Sequence, residues 1–221
     1  FPFSRGLVHD YWAGNIWALW MLFDKVLIKV VGIALPDISP KFCALLLLFG
    51  LSPGLICGWN AASPNKFISC VVFSSLSAFM LAYHVHEKAI MTAIIPLILL
   101  VKEDNNQKRL FMRVNTLGLV GLFPLLFRPI ELPLKVFSLL SYWTVSYHLL
   151  GEFRLLWTDW MGLFLLTLVV VFLEIIHPLI LFPRMEFLPL LCTSVVCSLG
   201  LLYCWISSGH LMMQNKSDTN K

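Results

Sequence analysis

The chain has 221 residues, of which 59% belong to the apolar and aromatic class and only 13% are charged, where a soluble domain carries about a quarter. A soluble protein needs polar residues to cover its outside, so apolar residues along most of the length mean that the outside itself faces hydrocarbon. The net charge of +4 comes from 16 Lys and Arg against 12 Asp and Glu; these sit in short breaks between apolar runs instead of on one basic face, which argues against nucleic acid as a partner. The expected fold class is therefore all-α, a polytopic transmembrane helical bundle.

The chain opens at Phe1 on FPFSRGLVHDYWAGN, which has neither the basic n-region nor the apolar h-region of a signal peptide. A loop-like start followed only by apolar spans leads us to expect upstream membrane helices, and with them part of an active site. Arg5, His9, Asp10, Tyr11, Trp12 and Asn15 are crowded together here. Tyr and Trp favour the bilayer interface and Asn15 suits a helix cap. Arg5, His9 and Asp10 form the mixture that a site for a phosphate and a sugar hydroxyl would use, Arg for the anion and the other two for hydroxyls.

Residues 16–35 would place Asp24, Lys25 and Lys29 at mid-bilayer if they spanned it. At 100° per residue those three fall within about 140° of each other, leaving the rest of the cylinder apolar. That is the pattern of a helix lying in the interface, so residues 1–41 are read as one luminal segment carrying an interfacial helix.

Spanning a hydrocarbon core takes about 20 apolar residues. Runs near that length occur at 42–59, 67–83, 88–101 (short), 110–127, 131–150, 157–177 and 188–206, which predicts a bundle of six to seven spans over 42–206. Pro53 and Pro96 fall inside two of them and predict kinks, not ends, because neighbouring groups in a bundle satisfy the freed carbonyl. Residues 207–221 read as a polar tail.

The break at 102–113 carries Lys102, Lys108, Arg109 and Arg113 and is the strongest cytosolic candidate under the positive-inside rule. Alternation then puts the loop at 60–66, the loop near Arg154 and the C-terminal tail in the cytosol. Residues 1–41, the turns at 84–88 and 128–131, and the segment 178–187 face the lumen. The sequon at Asn215 would lie on the wrong side for glycosylation.

Between the second and third runs stands YHVHEK, at Tyr83 to Lys88. Ionisable residues at membrane depth are costly and point to function by default. In extended backbone His84 and His86 face the same way, whereas on a helix they diverge by about 200°. Zinc would want His at i and i+4 or a third ligand, and Glu87 is poorly placed for that, so no metal is expected. Two readings remain: a polar turn with Glu87 and Lys88 as interfacial charges, or a site where His86 and Lys88 hold a lipid-linked phosphate and Glu87 orients one of them.

Other charges are expected to pair locally: Glu174 with His177 at i and i+3, and Arg128 with Glu131. Arg184 and Glu186 read the same way. Cys43, Cys57, Cys70, Cys192, Cys197 and Cys204 lie inside or at the ends of apolar runs without CxxC spacing and are read as packed thiols.

FPFSRGLVHDYWAGNIWALW, followed after one span pair by SAFMLAYHVHEKAI, resembles the endoplasmic reticulum glucosyltransferases that add the first and second glucose to dolichol-linked oligosaccharide. The matching motifs are the FPF-x-RGL segment and the VHEK turn at Val85 to Lys88. HVHEKAI and the YWA-x-N-x-WAL variant are more similar to the second-glucose enzyme, while Asp10 departs towards the first. GLFPLLFRPIELPLK extends the likeness further along the chain.

The resemblance implies a GT-C type fold in the endoplasmic reticulum membrane with a luminal active site. It implies inverting transfer of glucose from dolichyl phosphate glucose to a monoglucosylated high-mannose dolichol-linked oligosaccharide, with an α-1,3 bond formed, no cofactor, and membrane lipid and the lipid-linked glycan as partners. No obligate protein partner is implied. His86 and Lys88, with His84 and Glu87, would hold the donor phosphate; Arg5, His9 and Asp10 would contact phosphate or acceptor. The catalytic residue of such enzymes belongs to a first luminal loop that no segment here matches, so these 221 residues are expected to be inactive alone. A mannosyltransferase of the same fold type is disfavoured by VHEK, and a transporter by the lack of self-similar halves.

Overall fold

The computed structural model describes residues 13–102, 104–126, 129–151, 153–180 and 188–214. All regular structure among these residues is helical. Helix α1 (Ile16–Val31) starts where the Asn15 side chain accepts the Trp17 N–H at 3.2 Å and stops at Gly32, whose positive φ of 76° lets its N–H reach the carbonyls of Leu27 and Ile28. Glycine reaches that conformation without the steric cost of a Cβ. Helices α2 (Pro40–Trp59) and α3 (Pro64–Leu81) share a start signal: Ser39 and Ser63 cap their first turns, and a proline follows at a position where the missing N–H costs nothing.

A 3₁₀ turn (Glu87–Ile90) leads into the short α4 (Met91–Ile98). Helices α5 (Asn105–Gly121) and α6 (Leu132–Leu150) follow. Helix α7 (Trp157–Val171) passes through a π turn (Phe172–Ile176) into α8 (His177–Ile180), and α9 (Leu188–Gln214) closes the described chain.

Helix α3 is central, packed against α2, α4 and α9, while α9 also meets α1, α5 and α7. Leu76, Met80, Leu97, Leu110, Val114 and Leu201 form the buried core where α3, α4, α5 and α9 converge. The outside is apolar as well: Phe49, Trp59, Leu149 and Leu179 are among the most exposed side chains. A surface of that kind is stable only against lipid.

Lipid offers helices little hydrophobic gain from association, so close backbone approach matters more. Gly50, Gly54 and Gly58 recur every fourth residue along α2 and face α3. A Cβ at Gly54 would stand 2.3 Å from the Ser74 hydroxyl and 3.3 Å from the Cys70 carbonyl. Pro53 lies within this contact and α2 continues through it, as expected.

Four described helices are long and apolar enough to cross a membrane: Pro40–Trp59, Pro64–Leu81, the continuous Trp157–Ile180, and Leu188–Gln214. The other three expected runs do not meet that measure of length and composition. The run at 88–101 divides into a 3₁₀ turn, an eight-residue helix and a turn. Helix α5 begins at Asn105, ahead of the apolar run, and spends its first turns on Asn, Gln, Lys and Arg. Helix α6 has the length, with 19 residues, but carries Lys135, several hydroxyls and His148.

Helix α9 corrects the other end. It continues two turns beyond the expected limit at 206, through the Ser-Ser-Gly-His stretch that reads as polar. Ser208 satisfies its hydroxyl on the Trp205 carbonyl, Met212 packs with Cys70 and Phe73, and the Lys66 ammonium donates to the Met212 carbonyl. A lysine on the last carbonyls completes a helix C-terminus.

Candidate functional site

Helix α3 ends at Leu81 and the chain turns out in extended backbone at Ala82, φ −66° and ψ 148°. The Trp17 indole N–H donates to the Ala82 carbonyl at 2.8 Å. Two residues earlier the Asn15 carbonyl accepts the Ser198 hydroxyl of α9, and Gly14 lies so close to α9 that a Cβ there would come within 2.7 Å of that of Cys197. The end of the N-terminal motif is thus clamped between α3 and α9, directly beside the start of the histidine turn.

From Ala82 the chain bends at Tyr83 and His84 and carries the His84 and His86 rings side by side, 5.5 Å apart and edge to face. His86 keeps extended angles, φ −85° and ψ 149°, and its carbonyl accepts the Ala89 N–H at 2.9 Å to open the 3₁₀ turn. Ile90, fully buried against Gly118 of α5, anchors the far side. With both ends pinned, His86 and Lys88 are exposed and His84 and Glu87 half-buried. The turn therefore presents hydrogen-bond donors and an ammonium outward from one end of the bundle, suited to an anion.

Arg5, His9 and Asp10, with Tyr11 and Trp12, lie outside the described residues. Of that cluster the structure places only Asn15, which caps α1 as expected, and it shows that residues 13–17 adjoin the His84–Lys88 turn. Trp17, which makes the connection, reads in the sequence as one more aromatic of an apolar helix. No group of His, Cys, Asp and Glu among the described residues could hold a metal ion. The six cysteines are free, four of them buried.

The basic segment 102–113 occupies the opposite end. Ile90 packs at Gly118, near the close of α5, whereas Lys108 and Arg113 lie towards its start. Lys108 donates to the Leu150 carbonyl at 2.6 Å. Arg113 holds Asp159 of α7 at 2.5 Å, with only 3% of the Asp159 side chain exposed, and lies 5.0 Å over the Tyr203 ring. The other Asp159 oxygen accepts the Leu156 N–H, so one carboxylate both caps α7 and ties it to α5.

A second ion pair joins α6 to the π turn, Lys135 to Glu174 at 2.6 Å. Beyond its expected neighbour His177 on its own helix, Glu174 reaches across to Lys135, whose side chain is almost wholly buried. The expected Arg128–Glu131 pair and the residues Arg184 and Glu186 involve positions outside the described residues. Neither observed ion pair is visible as a motif, because the partners lie 46 and 39 positions apart.

An all-helical multi-pass membrane protein, with cationic and hydrogen-bonding side chains displayed at one end and its deeper charges paired, is the class that these features define. The model of the ALG6, ALG8 glycosyltransferase family matches residues 1–208, and the chain belongs to that family. Similar proteins include the dolichyl pyrophosphate Glc1Man9GlcNAc2 alpha-1,3-glucosyltransferases of Mus musculus, 35% identical, and Bos taurus, 34% identical, each over 93% of this chain and 45% of theirs. The protein of the same name from Arabidopsis thaliana is 28% identical over 93% of this chain and 49% of its own length. The chain thus spans about half the length of the curated relatives it matches.

Proposed function

We propose that the protein to which this chain belongs transfers the second glucose from dolichyl phosphate glucose to monoglucosylated dolichol-linked oligosaccharide, in the endoplasmic reticulum membrane. The observation that carries this reading is the His84–Lys88 turn, held open at one end of a bundle of the ALG6, ALG8 family. The relatives' shared name, which specifies an acceptor already bearing one glucose and an α-1,3 linkage, supports the choice of step.

In the reaction, the acceptor hydroxyl oxygen attacks the glucose anomeric carbon, the bond from that carbon to the phosphate oxygen breaks, and dolichyl phosphate departs with the negative charge. His86 and Lys88 stabilise that growing charge as donors at a fixed position. Glu87 orients one of them, and Trp17 fixes where the turn begins. A base must take the acceptor proton; the family resemblance puts it in a luminal loop outside the motifs of this chain.

The test is complementation of cells lacking the second-glucose enzyme with the full-length gene, wild type or His86→Ala, followed by sizing of the lipid-linked oligosaccharides. Wild type should restore the diglucosylated and larger species, and His86→Ala should accumulate the monoglucosylated one. Rescue of first-glucose mutants instead would move the protein to the preceding step. Full activity of His86→Ala would remove the turn from the site.

A further inference from the structure

At the basic end of the bundle, a cleft of ≈ 480 Å³ opens between α5, α7 and α9. Its walls are apolar, with Leu163, Leu166 and Val169 from α7 facing Val196 and Leu199 from α9. Its polar end is formed by Arg109 and Arg113. Asp159 neutralises Arg113. Arg109 differs: one terminal nitrogen donates to Asn106, but its Nε is buried with no hydrogen-bond partner among the described residues.

A buried guanidinium N–H left without an acceptor is costly in water and more so in lipid. Arg109 stands at the polar end of an apolar channel, and no carboxylate among the described residues pairs with it, so the group suited to answer its charge there is an anionic oxygen attached to an apolar tail. The dimensions narrow the class. From Asp159 to Val169 the α7 wall rises about 15 Å at 1.5 Å per residue, which is the depth of one leaflet in a hydrocarbon core about 30 Å thick. One leaflet accommodates an acyl chain, whereas a polyprenyl chain is far longer. Lys102 and Lys108 border the same end, and such basic segments face the anionic cytosolic leaflet.

We propose that this cleft is a binding site for an anionic glycerophospholipid of the cytosolic leaflet, its phosphate on Arg109 and one acyl chain between α7 and α9. The site stands at the opposite end of the bundle from the histidine turn and is independent of the donor-phosphate reading. A lipid phosphate seated there neutralises Arg109, and the acyl chain fills the space between α5, α7 and α9.

The test uses the full-length protein in phosphatidylcholine nanodiscs containing a trace of photoactivatable lipid, diazirine on the acyl chain, with either a phosphatidylserine or a phosphatidylcholine headgroup. Crosslinks are mapped by peptide mass spectrometry. The serine lipid should label the segments 163–169 and 196–203 in preference to the choline lipid. Arg109→Gln should lower that labelling about fivefold, the loss expected when one basic residue is removed near an anionic leaflet.

Gly162→Leu serves as the second variant, since Gly162 lines the cleft and a Cβ there meets nothing within 4 Å. It should block labelling with both arginines in place and the helix intact. Equal labelling by the two headgroups, or labelling unchanged in both variants, overturns the proposal. So does stronger competition by dolichyl phosphate than by phosphatidylserine, which would identify a polyprenyl site instead.

Discussion

Separating Arg113 from Asp159 should destabilise the bundle far more than replacing both. The carboxylate is almost fully buried and the guanidinium side chain 19% exposed. Removing one partner of a buried pair costs about 3–5 kcal/mol, whereas exchanging both for apolar residues is often neutral or better. Asp159 also accepts the Leu156 N–H at the start of α7, and loss of such a cap adds about 1 kcal/mol. Asp159→Leu should therefore be the worst variant, because it strands a guanidinium that cannot shed its charge. Arg113→Met should cost less, since Asp159 keeps its hydrogen bond from the Leu156 N–H. The double variant should return to within about 1–2 kcal/mol of wild type, the remaining deficit being the lost cap. The assay is the apparent thermal midpoint of the full-length protein in lipid-free detergent, which removes any contribution from bound lipid. If the double variant is as unstable as the sum of the singles, the pair is not coupled and this account of α5–α7 packing fails.

The glycine stripe of α2 predicts a graded series. Gly54→Ala places a methyl against Ser74 and the immobile Cys70 carbonyl, and overpacking of that kind costs about 1–3 kcal/mol. At Gly58 the nearest atom, Cys70 Cβ, is 3.4 Å away, an ordinary contact, so Gly58→Ala should be neutral or gain up to about 1 kcal/mol in helix propensity. Thermal midpoints of the two variants should differ in that order, and the reverse order would place the α2–α3 contact elsewhere. Trp17→Phe removes the hydrogen bond to Ala82 while keeping the aromatic. It should leave protein levels near wild type but shift the lipid-linked oligosaccharide profile towards the unextended substrate; an unchanged profile would show that the turn does not depend on this anchor.

Much of the architecture was legible because lipid imposes a simple rule: apolar runs near 20 residues, bounded by charge or Pro, become helices. Starts at Pro40 and Pro64 lie within three residues of the apolar runs for this reason. The rule fails where packing between helices outweighs contact with lipid. Ser207, Ser208 and Gly209 look like the end of a span, yet small residues are what α9 needs to lie against Phe73 of α3, and a Cβ at Gly209 would come within 3.1 Å of that ring. The nearness of the two histidines was legible too, since a two-residue spacing outside a helix lets His84 and His86 share one side, although the chain bends at His84 instead of running straight. The support of the turn was not. Trp17 acts through an indole N–H 65 positions away from its acceptor, and nothing local distinguishes that tryptophan from one facing lipid.

Charge in this protein divides by whether the chain itself satisfies it, and the division separates structure from binding. Lys135 and Glu174, and Arg113 and Asp159, are costly individually in hydrocarbon, and each is answered by a partner on another helix; they hold α6, α7 and α5 in register. His86 and Lys88 stand exposed at one end, and the Arg109 Nε is buried without an acceptor at the other. Burial alone would have singled out Lys135, whose side chain is less exposed than that of Arg113. Satisfaction by the chain is the better criterion, because a group that the protein leaves unanswered at the edge of a bilayer has only the lipids and their headgroups to answer it.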